Sequence, residues 1–234
     1  MRVRGRRVIG LISIVILLAT WIVWSQAVLP PTATHQVSSV PSSLSPGSPA
    51  LTALDNIPVK GHAAKTGYAR TQFGDGWTTT AGCDTRNIIL KRDMTNTLVG
   101  EGCKVESGTL DDPYTSKTIQ FVRGANTSDA VQIDHVVALG NAWQTGAQQL
   151  DRATRIVMAN DPLELLAVDG TANQQKSDSD AASWLPSNKP FRCQYVARQV
   201  AVKLKYHLWV TQAEKDAISR VLSGCPTQTL PAGA

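Results

Sequence analysis

The sequence predicts a small α+β domain set behind an N-terminal targeting segment and a flexible tether. Three observations carry that expectation. Two short apolar runs, one around Asp134 and one at residues 163–168, have strand length and strand composition. Val196, Val200, Leu204 and Leu208 recur at four-residue spacing, the mark of an amphipathic helix. A Pro/Ser-rich, nearly uncharged stretch separates both features from the N-terminus. At 234 residues the chain has room for one domain with accessories.

From the N-terminus, Arg2, Arg4, Arg6 and Arg7 precede VIGLISIVILLATWIVW, residues 8–24, which carries no charge. A basic start followed by such a run is a membrane-targeting pattern that leaves the remainder outside the membrane. Extended to residue 27 and just beyond, the run approaches the roughly 20 residues that span a bilayer. Ser25-Gln26-Ala27 also offers small residues for cleavage. Residues 1–27 are therefore expected to be a signal peptide or an uncleaved anchor, with the domain secreted or tethered on the extracellular side. The formal charge of +5 owes most to this segment, because without its four arginines the balance is 19 basic to 18 acidic residues. Bulk charge is thus no argument for a polyanionic partner, and any basic surface has to be local.

Residues 28–58 are rich in Pro, Ser, Thr and Ala and read as a flexible linker, which places the folded domain at 59–234. Cys83, Cys103, Cys193 and Cys225 include no Cys-x-x-Cys pair, and no histidine stands at zinc-knuckle spacing. Outside the membrane an even count reads as disulfides. Three pairings are open, and the nearest-neighbour one, Cys83 with Cys103 and Cys193 with Cys225, is preferred.

Within the domain, GWTTTAGCDTRNIILKRD and GTLDDPYTSKTIQFVRG are turn-rich with short β-prone runs. The strand around Asp134 leads into a helix-like stretch, residues 139–160, that Gly140 and Gly146 weaken. LELLAV is the second strand, and GTANQQKSDSD enters another helix. CQYVARQVAVKLKYHLWV follows as the amphipathic helix. Thr211 with Glu214 then forms a capping box that opens a last helix ending near Gly224.

Asp134 and His135 stand side by side where this pattern calls for apolar side chains. Cutting a phosphodiester requires a base to activate water and a positive group to meet the charge that develops on the phosphate and the leaving oxygen. A neutral histidine serves as the base, and a hard cation with oxygen ligands serves as the positive group. Adjacent strand residues face opposite ways, so a bulge or the strand's end is needed to bring both side chains to one place. Asn173, at the start of the following helix, offers a second oxygen. The plainer alternatives are a hydrogen-bonded structural pair for Asp134 and His135 and a helix cap for Asn173.

QIDHVVAL, ANDPLELLAVDGTANQQKSDSDAASWLP, GCDTRN and GTLDDPYT together resemble the secreted bacterial HNH endonuclease family, which shares a domain with the C-terminal region of GmrSD-type restriction enzymes. The resemblance covers most of residues 66–225 and implies a ββα-metal (HNH, or His-Me finger) core with packing helices. It implies that Asp134 and Asn173 hold one divalent metal, Mg²⁺ in the first place and Mn²⁺ as an alternative, and that His135 is the general base. The middle position, usually Asn, falls on Glu164, with Asn160 a few residues earlier as a partial substitute. Lys176, Arg86 and Arg198 are the expected substrate contacts, Lys176 from a solvated helix face. The implied activity is metal-dependent hydrolysis of nucleic acid, DNA in the first place, and no protein partner is implied.

A rival from a different class is a non-catalytic extracellular binding module on a degenerate nuclease fold, which Glu164 in the middle slot favours. A zinc metallohydrolase lacks support, since there is no His-Glu-x-x-His motif and the four histidines are dispersed.

Overall fold

The computed structural model describes residues 47–231, all within the compact unit Ser43–Ala234. The apolar run at residues 8–27 and the first part of the linker lie outside the described residues. Among the described residues no helix is long and apolar enough to cross a membrane.

The folded unit reaches further towards the N-terminus than residue 59. Helix α1 (Ala50–Leu54) buries Ala50, Ala53 and Leu54, and Ile57 follows them into the core. Pro49 bridges to Thr229, so the start and end of the unit are stitched together. The linker boundary at 58 is thus corrected: ALTALDNI holds enough apolar side chains, correctly spaced, to pack as a helical turn even though its surroundings are Pro/Ser-rich.

A short hairpin, β1 (Thr79–Thr80) and β2 (Cys83–Asp84), leads into helix α2 (Thr85–Asp93). The β-prone reading of NIILKRD is overturned there. The Asp84 carboxylate accepts from Asn87 N at 2.7 Å and caps the helix, and Ile89 and Leu90 become its buried side. Next come β3 (Thr95–Val99), β4 (Val105–Asp111) and β5 (Thr118–Val122), an antiparallel sheet in the order β3-β4-β5. β6 (Val131–His135) pairs antiparallel with β7 (Leu165–Asp169), and helix α5 (Gly170–Lys176) follows β7 directly.

Between those two strands the predicted long helix is split into α3 (Leu139–Gln144) and α4 (Arg152–Ala159). Gly146, at φ 130°, adopts a conformation that ends the first piece, and Asp151 caps the second through Thr154 N. Helices α6 (Arg192–Lys205) and α7 (Gln212–Ser223) complete the chain. Thr211 caps α7 as expected, accepting from Glu214 N at 3.1 Å. The Glu214 carboxylate does not return to the cap, however, but pairs with Lys203 inside the core.

The result is the expected mixed α/β domain, stapled by Cys83–Cys103 and Cys193–Cys225. Two apolar clusters sandwich the β6–β7 pair. Val131, Ile133, Leu165 and Ala167 face the cluster of Ile89, Leu90 and Phe121. Leu166 and Val168 face the other, with Tyr114, Tyr195 and Val196. Burial on both faces explains why these strands lack polar alternation.

Candidate active site

The β6–β7 sandwich determines where the two anomalous residues go. Asp134 turns to the Tyr114 side and His135 to the other, and both are buried. No bulge interrupts the pairing; Asp134 lies opposite Leu166 and His135 opposite Leu165. His135 is instead the last residue of β6, so the strand's end lets both side chains border one cavity of about 220 Å³.

The His135 ring stacks on Trp77, with centroids 5.7 Å apart and planes 11° from parallel. Its Nε2 lies 3.0 Å from the Ala159 carbonyl oxygen. A carbonyl only accepts, so Nε2 carries the proton and Nδ1 is the basic nitrogen. Burial, together with the positive charge of Arg70, pushes the His135 pKa down to about 3, and the ring is neutral at physiological pH.

The Asp134 carboxylate is heavily bonded. Lys176 Nζ donates to Oδ1 at 2.9 Å and to the His135 carbonyl at 2.7 Å, while the buried Tyr114 hydroxyl donates to Oδ2. Burial raises the Asp134 pKa, and Lys176 opposes that rise. Lys176 is therefore neither part of a solvated face nor a phosphate contact: its side chain is 0% exposed and its ammonium is spent on Asp134 and His135. One turn earlier on α5, Asn173 Nδ2 donates to Gln132 Oε1 at 2.9 Å, which leaves the amide oxygen as the free donor atom on the cavity wall.

Other assigned residues lie elsewhere. Arg86 donates to the carbonyls of Ser128 and Val131, and Arg198 to those of Pro162 and Leu163. Both guanidiniums are committed to backbone carbonyls and neither residue borders the cavity, so the geometry does not support the substrate contacts expected of them. Glu164 is fully buried and borders neither cavity; its Oε2 accepts from Val137 N at 3.2 Å, while Oε1 has no partner. It braces the chain just past His135. Asn160 does border the second cavity, and its amide accepts from Thr78 N and donates to the Ile156 carbonyl.

Burial raises the Glu164 pKa well above the ordinary carboxylate range, which keeps it protonated in the folded state. A carboxyl raised in this way contributes stability below its unfolded pKa of about 4.3 and loses it as pH climbs towards the folded value. His135 acts on the acid side: between about 3 and 6.5 the unfolded chain binds the extra proton, so stability falls as pH drops through that window. Glu164→Gln is accordingly expected to melt above the wild type at pH 8 and to match it at pH 4. Thermal melts in EDTA at both pH values check this; an equal shift at both would remove the titration argument.

Several residues around the cavity carried no visible motif. Tyr114 and Gln132 orient Asp134 and Asn173, and Trp77 backs His135. Asp178 borders the cavity while paired to Lys65 at 2.6 Å. Arg70, on a 3-10 turn at Arg70–Phe73, borders both this cavity and a second one of about 140 Å³ on the Trp77 side of His135. Tyr114, Gln132 and Asp178 lie in the segments GTLDDPYT, QIDHVVAL and GTANQQKSDSD that carry the family resemblance, whereas Arg70 lies in none of them.

A metal has few protein donors here. Among the described residues no three His, Cys, Asp or Glu side chains come together as a metal cluster. The Asp134 carboxylate and the free Asn173 amide oxygen are nonetheless hard oxygen donors on one cavity wall, a set that suits a small dication retaining several waters.

Comparison with known proteins bears on this geometry. The family model for the C-terminal domain of GmrSD restriction endonucleases matches residues 85–221, which include β6, β7 and α5. An uncharacterized secreted protein of Arthroderma benhamiae is 35% identical over 187 residues, covering 79% of this chain and 89% of the relative. No solved structure gives a match.

Proposed function

The chain belongs to the family of GmrSD restriction endonuclease C-terminal domains, and from that premise we propose that it is a secreted HNH-type endonuclease that hydrolyses nucleic-acid phosphodiesters. The observation that carries the reading is the state of His135: neutral, fixed by the Ala159 carbonyl, with Nδ1 left as the proton acceptor. Two antiparallel strands followed at once by α5 make the β6–β7–α5 unit a candidate ββα-metal core. The secreted relative and the two disulfides support a site of action outside the cytoplasm.

In this mechanism His135 Nδ1 takes a proton from the attacking water while Nε2–H stays on the Ala159 carbonyl. The bond to Ala159 and the stack on Trp77 hold the ring in one orientation, so little reorganisation is needed at the moment of reaction. Taken alone, a pKa near 3 makes His135 a weak base. An arriving phosphodiester brings negative charge that offsets Arg70 and Lys176, and this raises the basicity of Nδ1 when substrate is bound. Asp134 and Asn173 are the residues that would hold a divalent cation, which supplies Lewis-acid stabilisation of the charge developing on the phosphate and the leaving oxygen. Gln132 keeps the Asn173 oxygen directed away from its own hydrogen bond, and Tyr114 and Lys176 keep Asp134 in place.

The test is incubation of the oxidised protein with supercoiled plasmid and with single-stranded DNA and RNA, in Mg²⁺, in Mn²⁺ and in EDTA. Cleavage is expected with either metal and is expected to vanish in EDTA. A folded, oxidised sample that cuts no nucleic acid under any condition would leave the non-catalytic binding module as the better reading.

A further inference from the structure

The two cavities beside His135 differ in character and share one cation. The larger is bordered by Asp134, Asn173 and Asp178, all polar, and the smaller by Phe73, Trp77 and Leu139. Arg70, His135 and Leu139 border both. Arg70 differs from the arginines that brace the backbone of the unit. Arg86, Arg123, Arg155 and Arg198 all donate to backbone carbonyls, whereas Arg70 is exposed and has no hydrogen bond or ion pair among the described residues. Its turn is nevertheless fixed. Arg155 donates to both the backbone and side-chain oxygens of Gln72, and Phe73 beside it is 2% exposed.

We propose that this arrangement is a nucleotide subsite for an unpaired strand: Arg70 takes a backbone phosphate and the Phe73–Trp77–Leu139 cavity takes the base next to it. The inference rests on the nuclease reading and adds a substrate class to it. A free guanidinium on the boundary between a polar and an apolar cavity suits a ligand that is anionic at one point and aromatic one bond network away, which is what a nucleotide presents. The cavity of about 140 Å³ can take one planar ring system, and the apolar side chains around it provide van der Waals contact without reading base edges. A paired base would have to leave its stack and its partner to enter, while a base in a single strand does not. Gly76 borders the same cavity, and a Cβ there would meet nothing within 4 Å.

Binding is measured in EDTA, where the reading of the chemistry predicts no cleavage, using the full-length oxidised protein and fluorescent oligonucleotides. The probes are a single strand, the same strand in a duplex, and the single strand with abasic sites that keep every phosphate. The single strand is expected to bind about ten-fold or more tightly than either other probe. Arg70→Ala is expected to weaken all three and to reduce the salt dependence by about one phosphate contact. Trp77→Leu is expected to weaken the intact single strand and leave the abasic one unchanged, which separates the base cavity from any effect on His135. Equal affinity for the abasic strand, or a duplex bound as tightly as the single strand, overturns the subsite while leaving the nuclease intact. If the wild type cuts nucleic acid in Mg²⁺ and these preferences are absent, the subsite alone has failed; if it neither cuts nor binds, both readings have.

Discussion

Replacing His135 with Ala is expected to lower the cleavage rate by about 10²–10⁴-fold, the range a positioned general base contributes. The loss should fall on kcat, because in the proposed mechanism His135 serves the attacking water and substrate affinity comes from other residues of the cavities. The fold should persist. The ring makes one hydrogen bond, to the Ala159 carbonyl, and one stack, on Trp77, and its removal also takes away a group that opposes folding below about pH 6.5. The vacated space beside Trp77 suggests a sharper control, namely that added imidazole restores part of the activity in His135→Ala. Plasmid nicking with and without imidazole, next to a thermal melt, reads all three points. A folded His135→Ala protein that keeps more than about a tenth of wild-type activity would remove His135 from the chemistry.

How much of this was legible in the sequence depended on whether a feature is local. The paired strands β6 and β7, the C-terminal helices, the Thr211 cap and both disulfides follow from patterns within a few residues or from simple pairing of cysteines. Asp134 and His135 stood out because they break an apolar run whose two faces are both buried. The arginines were opaque for the opposite reason. Arg86 and Arg198 are pinned by carbonyls 35 to 45 residues away in sequence, and no spacing rule reveals a partner at that distance. Lys176 was misread because its neighbours Ser177 and Asp178 are exposed, and a lysine among polar residues looks like a solvated face. The early start of the unit is hidden because the Pro/Ser-rich composition outweighs the four buried apolar positions of ALTALDNI. Arg70 lies in a turn-rich segment without periodicity, so its place between two cavities exists only in three dimensions.

Lys176 sets the second large effect. In the metal-free protein, Lys176→Met is expected to cost about 3–5 kcal/mol of stability, the usual consequence of leaving one member of a buried ion pair uncompensated. Asp134 would keep only the Tyr114 hydroxyl as a donor, and the His135 carbonyl would lose its ammonium partner. Burial already raises the Asp134 pKa against the pull of Lys176, so without that pull the carboxyl is driven further towards its neutral form. A dication held by Asp134 and Asn173 would replace the missing charge. Saturating Mg²⁺ or Mn²⁺ at about a hundred times its Kd should therefore return about 2.7 kcal/mol to the variant. The wild type should gain less, since there the ammonium at 2.9 Å would compete with a metal for the same carboxylate. Urea unfolding of both proteins in EDTA and in Mg²⁺ or Mn²⁺ measures the four stabilities needed. A metal-dependent recovery larger in Lys176→Met than in the wild type ties Asp134 to the cation without any appeal to activity. If the two proteins respond to metal identically, Asp134 is a structural carboxylate held by Lys176 and Tyr114, and the cation has to be sought elsewhere. Should the variant fail to fold in EDTA, its folding as metal is added gives the same comparison from the other side.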